Sequence, residues 1–326
     1  MAVVRLATLG DGSRDGALVV VDAAGGRFVD ASNVAPNLQL ALDDWSRVSP
    51  ALRELSRALD SGTVLGRSLD GVPLLAPLPR AYEWIDGSSY LHHVLLARKS
   101  RGAPPPPDLE VNPLVYQGGS GVLLSPTDPL VLPDAAWGLD FEAEVCVVLG
   151  DLPRGTSAEQ AASHVRLLML ANDVTYRNLV RTELEKGFGF FVSKPATAFS
   201  PFAVTPDELG GAWRDVRPFL RLRTTYNGKI VGDTETGPEM HFSFFDLIAH
   251  IAKTRSFTAG TILGGGTVSN REPARGSSCL VERRMIEMLE LGAARTPFMT
   301  HGDSLRIEAF DDMGRSVCGA IDQRVV

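Results

Sequence analysis

Cysteine is scarce in this chain. Among 326 residues there are three, Cys146, Cys279 and Cys318, far apart and in no Cys-x-x-Cys spacing. An odd and scattered set argues against a disulfide framework or a structural zinc site, and reads instead as buried thiols of a reducing compartment. Long apolar runs are also missing. Val165 to Ala171 is interrupted by Arg166 and falls far short of the ~20 residues that a membrane helix needs. The opening MAVVRLATLGDGSRDG lacks the basic-then-apolar pattern of a secretory signal. Positive charge is in deficit, with 32 Lys and Arg against 39 Asp and Glu, a formal net charge of −7. Phosphate neutralisation needs clustered Lys and Arg, so nucleic acid is excluded as a partner. What is present, 44% hydrophobic and 22% charged residues, is globular rather than disordered in composition. The expectation is an acidic, soluble, cytoplasmic protein.

The length suits one large domain with a smaller companion. Gly62, Gly66 and Gly71, then the proline-rich stretch Pro73 to Pro79, close a first unit at residues 1–80 and leave 81–326 as the second. In the first unit Leu18–Asp22 reads as a strand and Asn37–Leu59 carries helical spacings. In the second, Phe141–Leu149 alternates with the strand period, and Ser157 with Gln160 has the spacing of a capping box. Leu167–Leu170 reads as a buried strand running into Asn172-Asp173. Leu220–Tyr226 and Lys229–Val231 flank Asn227-Gly228, the dipeptide suited to a tight hairpin turn. Ser243–Thr254 and Arg283–Leu291 predict helices; Ser304–Phe310 and Arg315–Ile321 predict strands. The sum is a mostly antiparallel β fold with a few covering helices, not a Rossmann fold or a TIM barrel.

Chemistry is concentrated in acidic residues. Glu142 and Glu144 are two apart on a predicted strand, so both carboxylates share one face. Like charges on an otherwise apolar strand repel, and a divalent cation resolves that conflict; the alternative is a strand with one solvated face. Asp173 closes the LLMLAN run and either joins them or forms a turn. An all-oxygen set suits magnesium or calcium rather than zinc. His92-His93 offers a general base if one histidine sits beside a polarised carbonyl, and a packing residue otherwise. Gly264-Gly265-Gly266-Thr267 lacks the Gly-Lys-Ser/Thr ending of a P-loop, but its glycines allow close backbone approach to a ligand. Pro104 to Pro107 form a stiff extended connection.

In order along the chain, Asp86 with His93 seven positions on, VYQGGS with Tyr116, DFEAEV, Asn172-Asp173 with Arg177, and SKPATAFSPFAVTPDEL with Lys194 stand ahead of GGGTVSN and SCLVE. This ordered set resembles the fumarylacetoacetate hydrolase family from about residue 80 to 300, and the small first unit also has a counterpart in its longer members. The resemblance implies a mixed β-sandwich roll, usually a homodimer, with magnesium or calcium held by Asp86, Glu142, Glu144 and Asp173. It also implies His93 and Glu282 as a water-activating pair, Arg177 and Lys194 as oxyanion-stabilising residues, and Tyr116 and Thr267 as substrate contacts. Three places depart from the family pattern, one of them the spacing before Glu282, which needs an extra residue. Arg98 and Arg101 straddle the site of an expected arginine, and Asn178-Leu179-Val180 replaces the stretch with an expected glutamine.

The resemblance therefore implies a metal-dependent hydrolase that cleaves the carbon–carbon bond of a 1,3-diketo acid. Its first candidate substrate is fumarylacetoacetate, split to fumarate and acetoacetate in aromatic amino-acid breakdown. The alternatives on the same fold are a hydrolase of acylpyruvates such as fumarylpyruvate, or a 2-oxo acid decarboxylase or hydratase. A non-catalytic metal-binding protein is the alternative of another class.

Overall fold

A computed structural model describes residues 4–100, 102, 104, 105 and 107–326. Its centre is the antiparallel pair Ala143–Leu149 and Val165–Asn172, buried almost throughout. The two faces of that pair feed two different apolar layers. Val145, Val147, Leu149, Leu168 and Leu170 point into one; Cys146, Val148, Leu167, Met169 and Ala171 point into the other. A strand covered on both faces has no reason to alternate apolar with polar, which is why these two read as nearly unbroken hydrophobic runs.

Among the described residues eleven strands make up this sheet, with Ala198–Phe199 pairing with Val165–Asn172 off the main path. On one side of the central pair, Ala203–Val204 leads through Arg5–Leu9, Ala17–Val21 and Arg27–Asp30 to the edge at Arg67–Ser68; on the other lie Ile262–Gly264, Trp84–Gly87 and Val115–Gly118. The first strand pairs Arg5 with Val204, so the N-terminal strands continue the sheet of the second unit. Pairing between these strands is antiparallel except for Ile262–Gly264 beside Trp84–Gly87.

Helices α1 (Leu38–Asp43) and α2 (Trp45–Asp60) cover one face with Leu38, Leu42, Val48 and Leu52. Asn37 starts α1 by accepting from Leu40 N at 2.9 Å. The single helical stretch expected over 37–59 is thus two helices with a break at Asp44. The other face is covered by a four-stranded sheet, Lys229–Glu235, Arg221–Tyr226, Ser304–Phe310 and Ser316–Arg324, which contributes Leu222, Leu305, Ile307 and Ile321. Its hairpin turns at Asn227 and Gly228, both with positive φ. The result is the expected β-dominated sandwich with helices.

Five further α-helices lie among the described residues: α3 (Leu91–Ser100), α4 (Ala158–Ala161), α5 (Arg177–Lys186), α6 (Phe244–Ile251) and α7 (Leu280–Leu291). The Ser157–Gln160 capping box opens α4, and Ser243 with Asp246 opens α6 in the same way. No helix among the described residues is long and apolar enough to cross a membrane.

Candidate active site

The central ladder places the acidic residues. Ala143 pairs with Asn172, and Asp173 N donates to Glu142 O at 3.0 Å, so Glu142, Glu144 and Asp173 meet at one end of the sheet. Asn172 pins this junction: its Oδ1 accepts from Glu142 N and its Nδ2 donates to Gln323 Oε1. Asp86 arrives from the strand Trp84–Gly87, beside Gly264. A Cβ at Gly264 would lie 2.3 Å from Asp86 Oδ1, and Gly266 N donates to that same oxygen at 3.0 Å. Gly266 has φ +81, and a Cβ there would meet Gly87 O at 2.3 Å. The triple glycine therefore makes room for a carboxylate and for the chain beside it, rather than cradling a phosphate.

Asp86, Glu144 and Asp173 are buried, and their carboxylate oxygens lie within 4.8 Å of one another. Burial, reinforced by Asp173, pushes the Asp86 carboxyl up to about 8; burial and the same neighbours push Glu144 well above the ordinary range. One Glu144 oxygen, Oε2, is buried with no hydrogen-bond partner. Clustered carboxylates with an orphaned oxygen fit a hard divalent cation, which supplies the missing positive charge.

Glu142, the fourth acidic residue, is engaged differently. Arg177 Nη2 reaches its Oε1 at 2.7 Å and Lys194 Nζ its Oε2 at 2.5 Å. Burial opposes its charge, but Arg177 and Lys194 outweigh it and hold the carboxyl well below the usual range. The Lys194 ammonium also donates to Asp173 Oδ2 at 2.6 Å. Asp173 further accepts from Tyr116 OH at 2.6 Å and Thr197 Oγ1 at 2.9 Å. Thr267 lies beside Glu144, 3.5 Å from its Oε1.

Across the cavity, α3 and α7 bring together the pair that is most distant in sequence. His93 Nδ1 lies 2.8 Å from Glu282 Oε2. The neighbouring His92 faces Ser269 Oγ at 2.8 Å, so the doublet divides between two tasks. Asp86, Glu142 and His93 border a cavity of about 710 Å³, inside the ~300–1,000 Å³ range of small-molecule pockets, with Glu144, Asp173 and Glu282 buried behind its wall. His93, Tyr116, Arg177, Lys194 and Thr267 give its lining polar groups; Val94, Val180, Leu184, Met285 and Met288, from α3, α5 and α7, give it apolar ones. Arg98 also borders the cavity; Arg101 and Pro106 lie outside the described residues.

One residue of consequence escaped the sequence reading. Asp140 is fully buried and accepts from Phe141 N, from Leu280 N and Val281 N at the start of α7, and from Arg177 Nε at 2.8 Å. It thereby joins Arg177 to the helix that carries Glu282. Its signal was faint: an acidic residue two positions before Glu142, in a stretch that is otherwise apolar.

Comparison with known proteins places this geometry in a family. Residues 83–326 match the fumarylacetoacetate (FAA) hydrolase C-terminal model, and residues 4–80 match fumarylacetoacetase N-terminal domain 2. The chain belongs to the fumarylacetoacetate hydrolase family. A mitochondrial oxaloacetate tautomerase of Xenopus laevis is 27% identical over 250 residues, 74% of this chain and 72% of that protein. Two solved structures share the fold. A fumarylacetoacetate hydrolase from Exiguobacterium antarcticum has a TM-score of 0.69 at 19% identity, covering 99% of each chain. A maleylpyruvate hydrolase from Sphingobium sp. SYK-6, solved with manganese(II) and pyruvate, has a TM-score of 0.66 at 17% identity, covering 99% of this chain and 98% of the other. The fumarylacetoacetate hydrolase family thus contains enzymes named as hydrolases and as tautomerases, and a divalent metal is bound by at least one structural relative.

Proposed function

We propose that this protein hydrolyses the carbon–carbon bond of a 1,3-diketo acid, with fumarylacetoacetate as the first candidate substrate. The observation that carries this reading is His93, engaged from behind by Glu282, on the wall of the cavity that Asp86 and Glu142 also line. Addition of water needs a base held in one orientation, whereas decarboxylation does not. Asp86, Glu144 and Asp173 would hold the cation, magnesium in the first instance or calcium, with Glu142 in reach through Lys194. Bound there, a divalent cation would polarise the two carbonyl oxygens of a 1,3-dicarbonyl as a Lewis acid.

The chain's own residues supply the rest. With Nδ1 engaged by Glu282, His93 keeps Nε2 to accept a proton from water. The hydroxide so formed attacks a substrate carbonyl carbon. Arg177, largely buried, and Lys194, buried, are cations on the cavity wall, suited to stabilising the resulting oxyanion, an effect typically worth about 2.7–4 kcal/mol per donor. Cleavage of the carbon–carbon bond expels an enolate, which takes back the proton from His93. Two carboxylic acids result, fumarate and acetoacetate for fumarylacetoacetate. Tyr116 and Thr267 would contact the substrate.

Acylpyruvate hydrolysis uses the same groups and is the nearest alternative. Oxaloacetate tautomerisation is the second reading, favoured by the Xenopus relative. The deciding experiment follows fumarylacetoacetate, an acylpyruvate and oxaloacetate with the purified protein, with magnesium added or chelated. Magnesium-dependent release of two acids, abolished in His93→Ala, is the expected result. Wild-type turnover by His93→Ala refutes the base assignment, and faster conversion of oxaloacetate than of either diketone overturns the order of substrates. The homodimer and the cytoplasmic location belong to the same proposal; sedimentation of the purified protein tests the first.

A further inference from the structure

Helix α7 begins with an unusual pair. The N-cap and N3 side chains of a helix face each other across its first turn, commonly as serine or threonine with glutamate. Here the N-cap is Cys279, which makes no capping hydrogen bond, and the N3 residue is Glu282. The three-residue spacing therefore delivers a sulfur atom, in place of a hydroxyl, to the carboxylate that engages His93. The donor atoms of His93, Cys279 and Glu282 all lie within 4.8 Å of one another. Glu282 is 1% exposed, and the oxygen that His93 does not use, Oε1, is buried without a partner. His93 borders the cavity, which gives a small ion a way in.

We infer that His93, Cys279 and Glu282 form a second metal site, of the soft-donor type, whose occupation by zinc takes the catalytic pair out of service. One thiolate, one imidazole and one carboxylate, with water as the fourth ligand, make a zinc-type set. The carboxylate cluster of Asp86, Glu144 and Asp173 has the opposite preference, for a hard cation. Magnesium and zinc are thereby sorted between two neighbouring sites, one that supports turnover and one that stops it. Capture releases the thiol proton to solvent and replaces the contact between His93 and Glu282 with bonds from each to the metal. The imidazole can then no longer accept a proton from water. Loss of turnover rests on the water-activating role given to His93 and Glu282 above; binding of the metal does not.

Cadmium is the probe for binding, because a cadmium–thiolate bond has an ultraviolet charge-transfer band. With full-length protein in excess magnesium, the band is expected to grow to saturation at one equivalent of cadmium. It should be absent from Cys279→Ser and Cys279→Ala, which keep the buried Cys146 and Cys318 as internal controls. Serine is a favoured N-cap, so Cys279→Ser should fold and turn over like the wild type. Zinc, at saturating magnesium, should inhibit wild-type diketo acid turnover with a midpoint at least tenfold lower than in Cys279→Ser. No band in the wild type, its persistence in Cys279→Ser, or equal zinc sensitivity of the two overturns the site. A stoichiometric band with undiminished turnover leaves the site standing and overturns the role of the pair in activating water.

Discussion

Asp140→Ala removes a single carboxylate that holds two walls of the cavity together. In the folded protein that group accepts from Leu280 N at 2.8 Å, Val281 N at 2.9 Å and Arg177 Nε at 2.8 Å, with no exposure to solvent. Loss of one partner from a buried ion pair costs about 3–5 kcal/mol, and the lower end applies because Arg177 keeps Glu142. Loss of the helix-capping acceptor adds about 1 kcal/mol. A total of about 4 kcal/mol corresponds to a fall in Tm of roughly 8 °C at the ~2 °C per kcal/mol expected of a chain this long. Asp140→Asn keeps one acceptor and should lose about half as much, since its amide cannot accept from Arg177. Because the start of α7 carries Glu282, kcat should fall more than KM rises in both variants. Thermal unfolding and steady-state kinetics of the two proteins make the check. An Asp140→Ala protein that melts within a degree of the wild type, or one altered in KM alone, would falsify the view that this carboxylate positions the proposed water-activating pair, His93 and Glu282.

Gly264→Ala should weaken magnesium binding and destabilise the fold by about 1–3 kcal/mol, the usual cost of overpacking, because its methyl group meets Asp86 Oδ1; calorimetric titration and urea unfolding measure the two effects. Magnesium affinity itself should fall as pH drops from 8 to 5, since the Asp86 carboxyl, pushed up to about 8, must release its proton to bind a cation; equal affinity at both pH values contradicts this. Glu183 accepts from Phe191 N, Val192 N, Ser193 N and Ser193 Oγ, and these bonds outweigh its burial and bring its pKa down to about 2 from 4.5. A lowered carboxylate stabilises above its unfolded pKa and loses that contribution as pH falls towards 2. Glu183→Gln should therefore be less stable than the wild type at pH 7 and converge with it near pH 2 in denaturant unfolding.

Local rules made much of the fold legible. The capping spacing of Ser157 and Gln160, the Asn227-Gly228 turn, and the strands expected over 141–149 and 167–170 each depend on neighbours in sequence, and each is present, the strands as Ala143–Leu149 and Val165–Asn172. The period-two placement of Glu142 and Glu144 likewise located the acidic end of the sheet. What local spacing missed depends on contacts across the fold. His93 and Glu282 are 189 residues apart and were paired only through resemblance to a family. The different engagement of Glu142 arises from Arg177 and Lys194, which lie 35 and 52 residues away and reach it through α5 and the segment after it. Asp140 works through backbone N–H groups of residues 280 and 281, which no side-chain motif records.

The unbroken sheet has a consequence for anyone who trims this chain. A cut near residue 80 would strip the partner strand from Ala203–Val204 and uncover the face bearing Leu167, Met169 and Ala171, now roofed by α1 and α2. By the alternation of side chains along a strand, Glu144, paired with Ala171, lies on that same face. A fragment lacking the first 80 residues would expose a raw sheet edge and a greasy surface beside its carboxylate cluster, conditions that favour self-association. The N-terminal segment is therefore a foundation of the sheet that carries the carboxylates, although none of its residues lines the cavity.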